Sequence, residues 1–252
     1  MPSSSRSRWV LITLAVLLVV SLGANVIFVK ALQQSFEKLQ FARIFPLGYA
    51  PERAASTPST AATPAESIAL WGDSRAYLWD TTTLAHGRTV LNFAHGGQTS
   101  SQLLLQIMST PAVHSTYAVV QIGINDLHPL GAMTEERQRV LDALRSNLAA
   151  IRDELLKRSD QLVLTTIFPP GPVPLQRRFA WDAHTLATIE DINRLIAEVG
   201  NVPRARVLDA NALLRDGKGV LASTYADPDF FLHVNREAYA RLNAGLAPLL
   251  SP

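Results

Sequence analysis

The chain has 252 residues, 48% of them apolar and 17% charged, too apolar and too weakly charged for a disordered polymer. Lys plus Arg number 23 against 21 Asp plus Glu, a formal net charge of +2, and no dense basic block stands out, so composition does not point to nucleic acid as a partner. Cysteine is absent, which excludes disulfide frameworks, cysteine-ligated metal sites and thiol nucleophiles.

The first feature in chain order is the stretch from Trp9 to Val29, which carries no charged residue. As a helix it is about 31 Å long, enough to cross a hydrocarbon core. Arg6 and Arg8 precede it, and Lys30, Lys38 and Arg43 follow, partly offset by Glu37. The positive-inside rule favours a cytoplasmic amino terminus and places the bulk of the chain outside, in a periplasmic or extracellular space. A cleaved signal peptide is the rival reading, with small residues at Ser21 and Gly23, but the apolar run continues through Val26–Val29 beyond a usual signal core. Residues 31–48 have Leu32, Phe36, Leu39, Phe41 and Ile44 at near-helical spacing. Residues 51–66 are rich in Ala, Ser, Thr and Pro and read as a spacer. The expected layout is a cytoplasmic segment over 1–8, a transmembrane anchor over 9–29, a juxtamembrane helix and spacer over 30–65, and one domain over 66–252.

Within that domain, apolar runs that suit buried parallel strands fall at Ser67–Trp71, Thr89–Phe93, Tyr117–Ile122, Leu162–Ile167 and Arg206–Leu208. Helical patterns alternate with them. One opens after Thr134 with Glu135 and Glu136 and runs to about Arg158. A second, 182–199, places Leu186, Ile189, Ile192, Leu195, Ile196 and Val199 on one face and stops at Gly200-Asn201. Asn235 caps a last helix reaching about Leu246. Alternation of this kind predicts a parallel α/β sheet covered on both faces, with ligands at the carboxyl ends of its strands.

Four segments converge on that edge. Trp71-Gly72-Asp73-Ser74-Arg75 ends the first strand and presents a serine where strand gives way to helix. The second strand ends in Asn92-Phe93-Ala94-His95-Gly96-Gly97-Gln98-Thr99, whose paired glycines let backbone N–H groups face a ligand. Gly123-Ile124-Asn125-Asp126 after the third strand offers a carboxamide, and Asp229-Phe230-Phe231-Leu232-His233 brings an acid and an imidazole just ahead of the last helix. These are the parts of nucleophilic acyl transfer: nucleophile, base, orienting acid and oxyanion donors.

In order and spacing, the four blocks resemble those of the SGNH (GDSL-type) hydrolases over nearly all of residues 66–252. That resemblance implies a three-layer α/β/α sandwich around a flavodoxin-like parallel sheet. It implies Ser74 as nucleophile and, through its N–H, as oxyanion donor beside the Gly97 N–H and the Asn125 side chain, with His233 as base. It implies no metal and no organic cofactor. For exported, membrane-tethered members it implies acyl esters as substrates, first among them O-acetyl groups of cell-envelope or exopolysaccharide glycans, and partners in envelope polysaccharide assembly. An O-acetyltransferase using the same site and a non-catalytic glycan-binding accessory protein are the alternatives.

The family places its acid three residues before the histidine, and here that position is Phe230. A one-residue bulge would bring in Asp229; otherwise Asp227 serves or the site is a Ser–His dyad. Gly96 is an alternative donor to Gly97, and Asp126 is read as holding a turn. Arg75, His95, Arg177 and Trp181 are candidate substrate contacts, since arginines and an aromatic suit a sugar or anionic group. His86, His95, His114, His128 and His184 show no metal-ligand spacing. An α/β-hydrolase is disfavoured because the serine turn lacks that fold's second glycine.

Overall fold

The computed structural model describes residues 4–44, 66–84, 87–111, 113–127, 130, 134–178, 181 and 183–251. The spacer at 51–65, His86 and His128 lie outside the described residues. Two compact units are present, Met1–Pro46 and Leu47–Pro252.

The first unit is one helix, α1 (Ser4–Ile44), in which Ser7–Leu39 is long and apolar enough to cross a membrane. Anchor and juxtamembrane segment form one continuous rod rather than two elements, because no proline falls between Pro2 and Pro46. Two of its polar side chains bond to its own backbone: Thr13 Oγ1 donates to the Trp9 carbonyl at 2.9 Å, and Asn25 Nδ2 to the Ser21 carbonyl at 2.8 Å. Local back-bonding of this kind hides polar atoms from an apolar surrounding.

The second unit is built on five parallel strands: β1 (Ser67–Gly72), β2 (Thr89–Asn92), β3 (Ser115–Gln121), β4 (Ser159–Thr165) and β5 (Ala205–Leu208), in spatial order β2-β1-β3-β4-β5. That is the flavodoxin-like order, and the chain reverses direction across the sheet between β1 and β3. All six residues of β1 are buried, as a central strand covered on both faces requires. Its alternate residues feed two cores. Ala69 and Trp71 join Leu103 and Ile107 of α3 (Ser100–Ser109), Leu144, Leu148 and Ile151 of α5 (Arg137–Leu156), and Ile192 and Ile196 of α6 (Ala183–Val199). Ile68 and Leu70 face Leu214 of α7 (Ala210–Leu214) and Tyr239, Leu242 and Leu246 of α8 (Arg236–Leu246). The result is the expected three-layer sandwich. Short helices α2 (Ser74–Tyr77) and α4 (Ile124–Leu127) follow β1 and β3 directly.

All five expected strands form, with shifted ends. β4 starts at Ser159 and stops at Thr165 rather than Ile167, because Asn193 of α6 takes the Ile167 backbone: its Oδ1 accepts from the Ile167 N–H at 2.7 Å and its Nδ2 donates to the Ile167 carbonyl at 2.9 Å. α3 was not anticipated. Its local signal is a capping box, Thr99 with Gln102, in which each side chain serves the other's backbone N–H.

Candidate active site

The turn from β1 into α2 begins with a steric requirement. Gly72 has φ +142°, and a Cβ there would lie 1.9 Å from the Gln121 carbonyl oxygen of β3. No other residue fits, since side chains rarely adopt that φ and the obstruction is backbone. Asp73 then caps α2, its Oδ1 accepting from the Arg75 N–H at 2.8 Å. Ser74 occupies the first turn, where the helix's own ladder leaves the N–H unused. The hydroxyl is half-buried, and His233 Nε2 stands 3.1 Å from its oxygen across 159 residues of chain. That separation is within reach for direct proton transfer between a nucleophile and its base.

His233 sits on a loop tied down at both ends. Ala226 bridges Val234 in antiparallel fashion, the His233 N–H donates to the Phe230 carbonyl at 2.9 Å, and the Asn235 N–H donates to the Tyr225 carbonyl at 3.0 Å. The Phe230 ring lies 4.5 Å from the imidazole, centroid to centroid. Burial holds the His233 pKa below its ordinary value; the Asp227 charge pulls it up and the Arg75 charge pushes it down. A histidine neutral at neutral pH is the form that accepts a proton.

The acid side of the site differs from the expected bulge. Asp229 is exposed and makes no hydrogen bond or ion pair with His233. Asp227, half-buried, is the carboxylate whose charge acts on the imidazole. Its Oδ1 accepts from the N–H groups of Asp229 (2.8 Å) and Phe230 (3.0 Å), an Asx turn that directs the Asp229 side chain into solvent. Only the folded loop distinguishes the two acids.

Gly97 and Asn125 stand in the loops leaving β2 and β3. Gly97 has φ +78°, exposed, with open space around its Cα. Asn125 Nδ2 donates one hydrogen to the Gln98 carbonyl at 2.9 Å, which orients the amide and leaves its second N–H for another acceptor. The two loops are stitched together by Asp126, whose carboxylate accepts from the Ser100 N–H at 2.9 Å and the Ser100 hydroxyl at 2.6 Å. Burial pushes Asp126 up to about 6, against the pull of those bonds. The expected turn-holding role becomes a bond between two loops.

The four candidate substrate contacts fare differently. Arg75 is fully buried: Nε donates to the Leu232 carbonyl and Nη1 to the Phe168 carbonyl, both at 2.8 Å. It does not reach a substrate, because its guanidinium turns inward beneath the nucleophile. Trp181 is 3% exposed and meets Phe231 edge-on at 5.7 Å, so it is a core residue rather than a sugar platform. Arg177 is exposed on a short 3₁₀ turn, Leu175–Arg177. His95 is half-buried, with its N–H bonded to the Gly72 carbonyl at 3.0 Å, close behind the nucleophile turn. A separate cavity of about 450 Å³, lined by Pro169–Val173, Asn211 and Leu221 among others, contains none of Ser74, Gly97, Asn125 or His233.

Residues 59–241 match the GDSL-like lipase/acylhydrolase family. No curated protein matches the chain. Solved structures do. A Streptococcus pneumonia protein provisionally described as a platelet activating factor aligns with a TM-score of 0.69 at 16% identity, over 88% of this chain and 99% of that one. A GDSL-like lipase from Bacteroides thetaiotaomicron gives 0.59 at 17%, over 79% and 94%. An acetylxylan esterase from Geobacillus stearothermophilus gives 0.57 at 16%, over 75% and 96%. At these identities the likeness to the solved structures is one of fold, and the family match over residues 59–241 carries the assignment. The chain belongs to the GDSL-like lipase/acylhydrolase family and is an SGNH-type ester hydrolase.

Proposed function

We propose that this protein is a membrane-anchored serine esterase that removes O-acetyl groups from a cell-envelope or exopolysaccharide glycan outside the cytoplasm. The observation that carries the mechanism is the 3.1 Å contact between Ser74 Oγ and His233 Nε2 at the sheet's switch point. His233 takes the Ser74 proton as Oγ attacks the acyl carbonyl. Negative charge on the carbonyl oxygen is met by the Ser74 and Gly97 N–H groups and by the second N–H of Asn125. The imidazolium gives its proton to the leaving sugar hydroxyl, and the acyl group stays on Ser74 as an ester. Water, deprotonated by His233, then attacks that ester; the acid departs and Ser74 recovers its proton. Asp227 stabilises the imidazolium through its charge.

The acetyl reading draws on the acetylxylan esterase among the structural relatives, and the membrane reading on the apolar helix α1. Incubating the full chain in detergent with an acetylated polysaccharide should release acetate, and a fluorophosphonate should add one adduct mass at Ser74. Ser74→Ala should abolish both, and Asn125→Ala should slow turnover roughly 10²–10³-fold. Transfer of acetyl to a glycan acceptor faster than to water would make the protein an O-acetyltransferase instead. Full biological function in Ser74→Ala would leave only a binding role.

A further inference from the structure

Arg75 is an expensive residue to bury, and neither of its side-chain hydrogen bonds lies within its own segment. Its side chain is 0% exposed. Nε reaches the Leu232 carbonyl, immediately before His233, and Nη1 reaches the Phe168 carbonyl at the exit of β4. The guanidinium carbon lies 3.8 Å above the Phe168 ring. Its own backbone carbonyl accepts from the Tyr239 hydroxyl at 3.0 Å, which ties the nucleophile turn to α8. One planar fork therefore joins three segments that meet nowhere else in sequence: the Ser74 turn, the β4 exit and the histidine loop. Asp73, the nearest buried acid, makes no ion pair with it; Asp73 Oδ2 and Arg75 Nη2 carry no hydrogen bond among the described residues. Burial lowers the Arg75 pKa to about 10, so the group is a cation at neutral pH.

We propose that Arg75 is a positioning residue of the hydrolase: it sets the Ser74–His233 separation by gripping the Leu232 carbonyl, and its charge adds to burial in disfavouring the imidazolium between turnovers. This rests on His233 acting as the base of the proposed esterase. Among the described residues two charges bear on His233, Asp227 from its own loop and Arg75 from α2, and they oppose each other. Asp73 and the Tyr239 phenol bear in turn on Arg75. Removing the cation leaves burial alone opposing Asp227, so the imidazole gains proton affinity. Part of the catalyst would then be protonated, and inactive as a base, at the pH where the native protein works.

The test uses the full chain in detergent, with two independent readings. One is the pH dependence of kcat/KM on p-nitrophenyl acetate. The other is the His233 titration midpoint by NMR of histidine-labelled protein, assigned with His233→Gln. In Arg75→Met both the acid limb and the midpoint should rise by about half a pH unit or more. There kcat should fall at least about tenfold with KM little changed. Arg75→Lys keeps the charge but cannot hold both carbonyls, so its midpoint should stay at the native value while kcat still falls. An unmoved midpoint in Arg75→Met overturns the charge role, and native kcat in Arg75→Lys overturns the positioning role. If Arg75→Met does not fold, Asp73→Asn/Arg75→Met against Asp73→Asn alone carries the same readings, because that pair removes the buried cation and the buried acid near it together. A native chain without esterase turnover but with the expected midpoint shift would sink the esterase reading and leave the electrostatic role of Arg75 standing.

Discussion

At Asp227 and Asp229 two carboxylates stand two residues apart, and the fold gives them different surroundings. Asp229 is exposed, whereas Asp227 is half-buried, bonded to the loop backbone and felt by the imidazole. Asp227→Asn should lower turnover by at least about tenfold and shift the His233 limb to lower pH, because the charge that favours the imidazolium is gone. Asp229→Asn should lose no more than a few-fold. Steady-state kinetics of the two amide variants across pH decides between them, and the reverse ranking would return the acid role to Asp229. The expectation for Asp229 rested on proximity in sequence to His233. In the fold the Asx turn at Asp227 leaves the next acid exposed, a matter of loop geometry that residue spacing does not encode.

At the scale of elements, the site is a set of strand ends. Ser74, Gly97 and Asn125 follow β1, β2 and β3, and the pattern of apolar runs marks all three strands in the sequence. The elements that went unread have weak periodic signals: α3 is ten residues with a polar capping box, and α7 is five. α1 is the opposite case: its uncharged run Trp9–Val29 is legible from composition alone, although the helix extends over 41 residues. Its described side chains from Ser7 to Leu39 are exposed, and an apolar surface of that length is costly in water. The full chain expressed with its native amino terminus should therefore sediment with membranes and stay there through carbonate and high-salt washing, since a spanning helix is not held by surface charge. A soluble form starting near Ala24, found by amino-terminal mass, would show that the segment is a cleaved signal instead.

Across the whole molecule, buried carboxylates couple the site to stability. Burial pushes Asp73 up to about 7, more than the nearby Arg75 charge pulls it down, and Asp126 to about 6. Each binds its proton more tightly folded than unfolded, so between about pH 4 and pH 7 the folded state holds more protons and stability falls as pH rises. His233, with a lowered pKa, works in the opposite sense over the upper part of that window. The two acids prevail because they are the more deeply buried. Thermal unfolding of the full chain should give a higher Tm at pH 5 than at pH 7.5, and Asp73→Asn should narrow that difference. A Tm that climbs from pH 5 to 7.5 in the native protein would refute the assignment of the two raised acids.

What the sequence determined by itself was periodic or local: strands alternating with helices, an uncharged span, a glycine before a serine at a strand end, and four blocks in the order of a known family. Such features survive in one dimension because burial and backbone sterics impose them residue by residue, as at Gly72, where any Cβ would collide with the Gln121 carbonyl oxygen. Tertiary structure alone decided where side chains go once the segments meet. Arg75 and Trp181 look like surface binding groups in the sequence, yet one turns inward to the Leu232 and Phe168 carbonyls and the other packs on Phe231. The partners of Arg75 lie 157 and 93 residues away, so no local pattern could announce them. A buried guanidinium is tolerated only where distant carbonyls satisfy it, and those carbonyls come together only in the folded sheet.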